Sequence, residues 1–468
     1  MAVNYLKMST PVAPVVDEVE IKLLKQEVAR YGTHAGIQTC SFYGSGHNSA
    51  GMGNTYGLVR NHVRTRVKEV LEANPWMAGH LKTVDTLSYS RVIGEHHANF
   101  ILKEEARGYA PFTRDDCYTD INLAALKLAG LKPAAAMVKS GQAITQIVVI
   151  PTHDNEVAVL FSMSHAVVDG FTYYKILGML GGAPIEAMDI CRPNQVVYNE
   201  MEADQSGPEI LAYGASATYI KHIVWNNVLK SKPYNAILCK FVDADKVKAA
   251  KAQKESLGEA AFVSTNDLLV SQVGRASQVD FMMQTLNYRN RVSLLHDGHA
   301  GNYENVCAYD CNGYACAGNV RQSLFKKPFG NIKNMPGFCS KTRMAFYTTW
   351  VFQSLPLLEV EGCELQLHIP IICFDPTGDT SKALVCPLDA AITFRSQPDK
   401  IAMIKFCCRA NPDDYSNEDS VLGASVSENI FPTGLTIKQT NDDRNSAIFD
   451  EDSIDLTAAE EVEEVEEV

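Results

Sequence analysis

The residues with the clearest potential for chemistry are His165 and Asp169, four positions apart in the segment S-H-A-V-V-D-G (residues 164–170). A neutral imidazole can take a proton from an alcohol or an amine near neutral pH, so His165 is a candidate general base. A sharp turn between the two residues would point Asp169 away from the reacting centre, which favours a structural role in holding the loop. The pattern is equally compatible with a buried histidine whose hydrogen bonds are all satisfied.

A structural role for Asp169 requires a cation from elsewhere in the chain. Arg289, in the segment N-Y-R-N-R (residues 287–291), is the candidate. Its planar guanidinium can bind a carboxylate through two hydrogen bonds. The alternative is that both arginines of this segment are solvated at the end of a strand.

Strands and helices must position these residues. Residues 143–150 and 156–164 are rich in Val, Ile and Phe, which predicts a hairpin whose second strand ends at His165. A helix is predicted over 171–180, so the histidine lies at a strand end and the aspartate at a turn that opens a helix. A strand over 281–288 leads directly into the arginine segment.

Other elements follow from periodicity and from turn residues. Apolar residues on one face of 56–73 predict a helix that ends before Pro75. Residues 181–207 lose periodicity, and the region after the strand at 281–288 is irregular to about residue 338. Helices are also predicted at 211–229, 244–254 and from Ser264 onward, and strands at 236–242, 346–352, 365–373, 390–394 and 401–407.

The simplest organisation is two α/β halves joined by a linker. The predicted boundaries are an N-terminal domain over 1–190, a crossover linker over 191–210, a C-terminal domain over 211–440 and an acidic tail over 441–468. The tail carries most of the formal net charge of -13, because from Asp442 onward it has 12 acidic residues and one basic residue. Six glutamates in the last nine residues repel one another, so the tail is expected to be disordered, with a partner-binding peptide as the alternative.

Composition excludes several classes of protein. With 46% hydrophobic and 21% charged residues, the chain has the average composition of a globular protein. The acidic balance argues against a nucleic-acid partner, and no apolar run approaches the ~20 residues of a membrane span. Thirteen scattered cysteines and the absence of a recognisable signal peptide predict a cytoplasmic protein. The spacing of Cys307, Cys311 and Cys316 does not match a zinc site, so no metal is expected.

The combined motifs resemble those of the chloramphenicol-acetyltransferase-like superfamily, and most closely those of the BAHD-like acyl-CoA-dependent acyltransferases. The hallmark of that family is H-x-x-x-D-G, which His165, Asp169 and Gly170 match. Other segments match in the family's order. They are residues 74–81 (N-P-W-M-A-G-H-L), 262–269 (F-V-S-T-N-D-L-L), 287–291, Gly301-Asn302 and 348–350 (T-T-W).

The resemblance implies an α/β fold of two chloramphenicol-acetyltransferase-like domains. Each domain would be a mixed β-sheet with flanking helices, and the active-site channel would lie between them. His165 would then be the catalytic base, and Asp169 and Arg289 would form a structural ion pair. Thr348 and Trp350 would stabilise the oxyanion.

The resemblance also implies a coenzyme A thioester as co-substrate, with no bound cofactor. Ser264 and Thr265 are candidate coenzyme A contacts, although an ordinary helix N-cap explains them as well. One departure is that the family's late D-F-G-W-G motif is missing. Residues 357–365 read L-L-E-V-E-G-C-E-L instead, which leaves membership of the plant-type branch open.

The function expected from the sequence is therefore transfer of an acyl group from acyl-CoA to a hydroxyl or amine of a small specialised metabolite. The acceptor would attack the thioester directly, and the protein would be a monomer. Two alternatives remain open at this point: a condensation-type enzyme that uses a carrier-protein-bound donor, and a non-catalytic relative that only binds a ligand.

Overall fold

A computed structural model describes most of the chain. The described residues are 18–46, 54–104, 108–152, 156–228, 236–253, 257–330, 332, 334–352, 354–375, 377–379, 383–384, 386–410, 412–415 and 420–426. The predicted acidic tail and the last residues of the predicted C-terminal domain lie outside this part.

The strands and helices alternate along the chain. The strands are β1 (Glu18–Lys22), β2 (Ile37–Ser45), β3 (His80–Thr83), β4 (Thr86–Ser90), β5 (Leu102–Glu104), β6 (Thr145–Pro151), β7 (Val157–Met163), β8 (Ala236–Val242), β9 (Phe281–Asn287), β10 (Glu304–Tyr309), β11 (Met344–Thr349), β12 (Cys363–Ile371), β13 (Asp389–Gln397), β14 (Lys400–Cys407) and β15 (Leu422–Ser425). The helices are α1 (Lys25–Tyr31), α2 (Thr55–Ala73), α3 (Glu95–Ile101), α4 (Tyr118–Ala129), α5 (Ala134–Ser140), α6 (Gly170–Leu180), α7 (Gln195–Ser206), α8 (Pro208–Gly214), α9 (Ala217–Val228), α10 (Ala244–Ala252), α11 (Thr265–Ser277) and α12 (Ala317–Ser323).

The strands form two large mixed sheets and a small one. The five-stranded sheet has the order β12-β2-β7-β6-β5, and the seven-stranded sheet has the order β10-β9-β11-β13-β14-β8-β15. Most neighbours are antiparallel, whereas β5 is parallel to β6 and β11 is parallel to both β9 and β13. Strands β1, β4 and β3 form the third sheet. The predicted α/β class with mixed sheets is confirmed.

The position of strand β7 between two hydrophobic cores explains why its sequence is apolar throughout. Successive side chains of a strand point to opposite faces. Val159 and Phe161 pack in one core together with helices α2 and α6, whereas Ala158 and Leu160 pack in a second core together with side chains of β13 and β14. A strand that is buried on both faces has no polar alternation. The second core therefore joins the two large sheets.

Strand β12 crosses the predicted division of the chain. The two large sheets are built mainly from the halves that the sequence divides at residues 191–210. Strand β12, however, comes from the second half and pairs with β2 of the five-stranded sheet, with Ile371 opposite Gln38. The predicted C-terminal domain thus contributes an edge strand to the N-terminal sheet.

Three predictions of local structure were wrong. The stretch 181–207 includes helix α7, whose first amides are capped by the side chain of Asn194. The predicted helix over 211–229 is two helices, α8 and α9, separated at Ala215 and Ser216. The irregular region before residue 338 contains β10 and α12. Periodicity missed α7 and β10 because buried polar side chains, such as Glu202 and Asn305, occupy positions that an apolar pattern would fill.

One stretch of the described residues, Tyr118–Ser140, is long and apolar enough to cross a membrane by length and composition. It consists of two helices, α4 and α5, between which the chain is extended at Gly130. Each helix is much shorter than the ~20 residues that a span requires. Half of the apolar window is buried against the rest of the fold.

Candidate active site

His165 lies at the junction between strand β7 and helix α6. The strand ends at Met163, and the turn that follows is held by the amide of Ser164, which donates to the carbonyl of Ile144 at 2.8 Å. The flanking residues are buried, whereas the side chain of His165 keeps 16% of its surface exposed. A hydrogen-bonded turn between buried residues therefore leaves the imidazole partly exposed.

The hydrogen bonds of His165 define its tautomer. The Nδ1 atom lies 3.0 Å from the carbonyl oxygen of Val168 and 3.2 Å from Oδ1 of Asn302. Both partners are acceptors, so Nδ1 carries the proton and Nε2 keeps its lone pair. Burial lowers the pKa of His165 below its usual value, and the bond to Val168 and the carboxylate of Asp169 only partly oppose this shift. At neutral pH the imidazole is a neutral base with a free Nε2.

Asn302 and two charged residues hold this turn from the other side. The amide nitrogen of the Asn302 side chain donates to the carbonyl of His165 at 2.8 Å. The backbone amide of Asn302 donates to Glu27, which forms a bidentate pair with Arg192 through two bonds of 2.8 Å. Arg192 also donates to the carbonyl of Val167 at 2.7 Å. The backbone next to the histidine is thus fixed by one buried ion pair and one amide.

Asp169 and Arg289 form a second, fully buried ion pair. Nη1 of Arg289 donates to Oδ2 of Asp169 at 2.6 Å, and the same oxygen accepts from the amide of Tyr303. The other carboxylate oxygen caps helix α6 by accepting from the amide of Thr172 at 2.9 Å. The contact between the two side chains is a single hydrogen bond, whereas two were expected. The remaining guanidinium N–H groups bind neighbouring side-chain and carbonyl oxygens, and the group lies between the rings of Phe171 and Tyr303.

Three further side chains surround the imidazole. The ring of Tyr31 stacks on it with a centroid distance of 4.2 Å, and His34 meets it edge-on at 5.4 Å. Oε1 of Glu304 lies 3.9 Å from Nε2 of His165. Since Glu304 begins β10 and His165 follows β7, the site lies where the two large sheets meet.

Solved structures with a similar fold cover most of this chain. Polyketide synthase associated protein 5 from Mycobacterium tuberculosis has a TM-score of 0.55 at 10% identity, covering 85% of this chain and 96% of its own. Vinorine synthase has a TM-score of 0.51 at 13% identity, covering 88% and 94%. TRI101 of F. graminearum, complexed with coenzyme A and T-2 mycotoxin, has a TM-score of 0.50 at 10% identity, covering 85% and 96%.

This chain has the chloramphenicol-acetyltransferase-like fold. No protein-family profile matches the sequence, and a comparison with curated proteins finds no match. At identities this low the similarity establishes the fold and not the activity. The family resemblance that the motifs indicated is confirmed at the level of the fold.

The predicted oxyanion donors, Thr348 and Trp350, lie on strand β11 and directly after it. Thr348 accepts a hydrogen bond from Thr285 at 2.9 Å, so its own hydroxyl proton is available to another partner. Trp350 is half-buried, and its ring lies 6.2 Å from that of Tyr174 in helix α6. The polar and ring contacts of His165 in the described part of the chain involve neither residue.

The predicted coenzyme A contacts lie at the start of helix α11. The hydroxyl of Ser264 accepts from the amide of Asp267 at 3.2 Å, and the Asp267 carboxylate accepts from the amide of Ser264 at 2.7 Å. Ser264 is therefore the helix N-cap that the sequence offered as the alternative explanation. Thr265 accepts from Nζ of Lys251 at 3.0 Å, which places a cation from helix α10 beside this helix start.

Sequence reasoning missed several residues of the site. Glu27 and Arg192 carried no motif, and Arg192 fell in the predicted linker. Tyr31 and Glu304 had no recognisable pattern, and Asn302 was noted only as part of a Gly-Asn pair. Among the described residues, no group of three or more His, Cys, Asp or Glu side chains is placed to hold a metal ion.

Proposed function

We propose that this protein is an acyltransferase that moves an acyl group from acyl-CoA to a hydroxyl or an amine of a small molecule, with His165 as general base. The observation that carries the proposal is the state of the imidazole. Its Nδ1 donates to the carbonyl of Val168, its Nε2 keeps a free lone pair, and the side chain is partly exposed where the two sheets meet. A neutral, oriented imidazole of this kind accepts a proton from a nucleophile.

The proposed reaction is a direct attack. As Nε2 of His165 takes the proton, the acceptor oxygen or nitrogen forms a bond to the thioester carbonyl carbon. The carbonyl oxygen becomes negatively charged, and the hydroxyl of Thr348 and the indole N–H of Trp350 are the proposed donors to it. When the C–S bond breaks, the coenzyme A thiolate takes the proton from the imidazolium. Asp169 and Arg289 hold the loop and do not touch the substrate.

The structural neighbours support this reaction class. TRI101 binds coenzyme A together with T-2 mycotoxin, and vinorine synthase shares the same fold, so specialised metabolites are the proposed class of acceptor. For the nucleotide end of coenzyme A we propose the start of helix α11, where Lys251 lies beside Thr265 and Ser264. A helix N-terminus next to a cation favours phosphate groups.

We further propose that the protein works as a monomer in the cytoplasm. All 13 cysteines are free thiols in the structure, which is typical of a reducing compartment. Light scattering of the purified protein measures the oligomeric state.

The test measures release of free thiol from acetyl-, malonyl-, hexanoyl- and aromatic acyl-CoA in the presence of pooled alcohols and amines. The wild type is compared with His165→Ala and with His96→Ala, a matched control because His96 is an exposed histidine outside the site. We expect acceptor-dependent thiol release by the wild type and by the control, and a loss of about 10²- to 10⁴-fold in His165→Ala. Folded wild-type protein that releases no thiol from any donor would contradict the proposal.

A further inference from the structure

Glu304 differs from the other buried or half-buried carboxylates around the site because its carboxyl has no donor. No hydrogen-bond donor in the described part of the chain reaches it, and the only basic side chain found there within 4 Å of its oxygens is the neutral imidazole of His165. Four other carboxylates buried in the described part of the chain are all satisfied by donors. These are Glu27 with Arg192, Asp169 with Arg289, Glu202 with Arg30 and Asn305, and Asp267 with Arg321.

This unpaired carboxyl is energetically unfavourable in its charged form. Only 17% of the side chain is exposed. Burial raises the pKa of Glu304 to about 8; Asp169 adds to the shift, and Arg289 opposes it. A buried carboxyl is usually retained with a partner, since an unpaired one costs stability. A ligand that carries a positive charge would supply the missing partner.

Glu304 and the base lie side by side, and each keeps a small part of its side chain exposed. His34 is exposed and lies edge-on to the imidazole, while Tyr31 is half-buried and stacks on the face of the imidazole. The other charged groups that act on Glu304 are Asp169 and Arg289, and these already satisfy each other.

The geometry selects the kind of atom that can bind there. A bound cation favours the ionised form of Glu304, and in that form its Oε1 and the Nε2 of His165 are two acceptors 3.9 Å apart, so one atom can lie about 3 Å from both. A hydroxyl has one proton and can donate to only one of them. An ammonium or amine nitrogen has two or more N–H bonds and can donate to both at once.

We propose that Glu304 binds the acceptor of this site and that the acceptor is a primary or secondary amine, held as its ammonium ion between Glu304 and His165. This inference rests on the proposed acyltransferase function and names its substrate class. The requirement for two bases follows from the chemistry, because an ammonium must lose two protons to become an amide, whereas an alcohol loses one to become an ester.

The proton balance is complete with the two bases present. The carboxylate of Glu304 takes the first proton from the ammonium and leaves a neutral amine with its lone pair. The nitrogen then attacks the thioester carbon, Nε2 of His165 takes the second proton, and the C–S bond breaks. The thiolate receives that second proton from the imidazolium, and Glu304 releases the first to solvent. The products are an amide, free coenzyme A and one proton.

The experiment uses acceptor pairs that differ only in the nucleophile: 2-phenylethylamine with 2-phenylethanol, and 1,4-diaminobutane with 1,4-butanediol. Thiol release is measured for the wild type, Glu304→Gln and Glu364→Gln. The rate measured with His165→Ala is subtracted from each, because it represents uncatalysed aminolysis. Glu364 is the matched control because it is an exposed glutamate in a strand of the same protein. We expect the wild type to prefer the amine of each pair. Glu304→Gln should lose about 10- to 100-fold in kcat/KM for amines, as for the loss of a charged hydrogen bond.

The outcomes separate this inference from the proposed function. Thiol release with alcohols and not with amines, or an equal loss with both acceptors in Glu304→Gln, overturns the inference and leaves the acyltransferase in place. An equal loss would mean that Glu304 only supports the imidazolium. Absence of thiol release with every acceptor overturns both. A selective loss with amines, absent from Glu364→Gln, supports the inference.

Discussion

Asn302 holds His165 at two points although the two residues are 137 positions apart in the sequence. Its side-chain amide donates to the carbonyl of His165 at 2.8 Å, and its Oδ1 faces the Nδ1 proton of the imidazole at 3.2 Å. One side chain therefore orients both the backbone and the ring of the proposed base. Glu27 of helix α1 accepts a hydrogen bond from the backbone amide of Asn302. Helix α1 therefore also helps to hold Asn302 in place.

Replacement of Asn302 tests this positioning role. In Asn302→Ala the imidazole keeps its bond to Val168 and loses its second acceptor and the backbone tether, so we expect kcat to fall about 10- to 100-fold. The KM for acyl-CoA should change little, because the proposed coenzyme A contacts, Ser264 and Thr265, lie at the start of helix α11. Steady-state kinetics and the melting temperature are measured beside Asn199→Ala, an exposed asparagine in helix α7. A change confined to KM would contradict the positioning role.

The ion pair of Asp169 and Arg289 should stabilise the fold. In Asp169→Asn the guanidinium of Arg289 stays buried without a counter-charge. We expect the free energy of unfolding to fall by about 3–5 kcal/mol. The midpoint of urea unfolding is compared with that of Glu186→Gln, which breaks the partly exposed pair with Lys175 and should cost about 1 kcal/mol or less. A variant that is as stable as the control but inactive would identify Asp169 as catalytic instead.

The acid limb of the pH profile should report His165. The base must be neutral, and burial lowers its pKa, so the neutral form persists to a lower pH than for an ordinary histidine of about 6.5. An alcohol acceptor does not titrate in this range. With such an acceptor, kcat/KM should stay constant as the pH falls from 7 to 6.5, and it should decrease only below pH 6.5. A measured acid limb above pH 7 would show that another group controls the rate.

Glu304 should make the stability of the protein depend on pH. Its pKa is raised from 4.5 to about 8 in the folded protein. Between these pH values the Glu304 carboxyl is therefore ionised in the unfolded chain and neutral in the folded one. Stability is then lost as pH rises through this window, by up to about 5 kcal/mol. Glu304→Gln removes the loss, and its melting temperature should exceed that of the wild type at pH 8.5 and match it near pH 4.5. Glu364→Gln should show no such difference; equal melting temperatures for Glu304→Gln and wild type at pH 8.5 would contradict the prediction.

Local structure was readable from the sequence where the pattern of neighbouring residues was strong. Helix α2, the hairpin β6–β7 and helix α6 agree with their predicted ranges to within two residues, because period and turn residues are local properties. Helix α7 and strand β10 were missed. Polar residues in both elements face buried or half-buried partners, such as Glu202 with Arg30 and Glu304 with His165, and such positions break the apolar pattern that periodicity detects.

The sequence by itself determined the class of fold and the candidate base. The H-x-x-x-D-G segment at a strand end singled out His165, and the order of the other motifs indicated the superfamily whose fold the structure has. Only the tertiary structure decided which atoms meet. It showed that Nδ1 of His165 is occupied by Val168 and Asn302, that Glu27 pairs with Arg192, and that the carboxyl of Glu304 faces Nε2. These pairs join distant segments through the packing of two sheets, and such contacts depend on the arrangement of the whole fold and leave no periodic pattern in the local sequence.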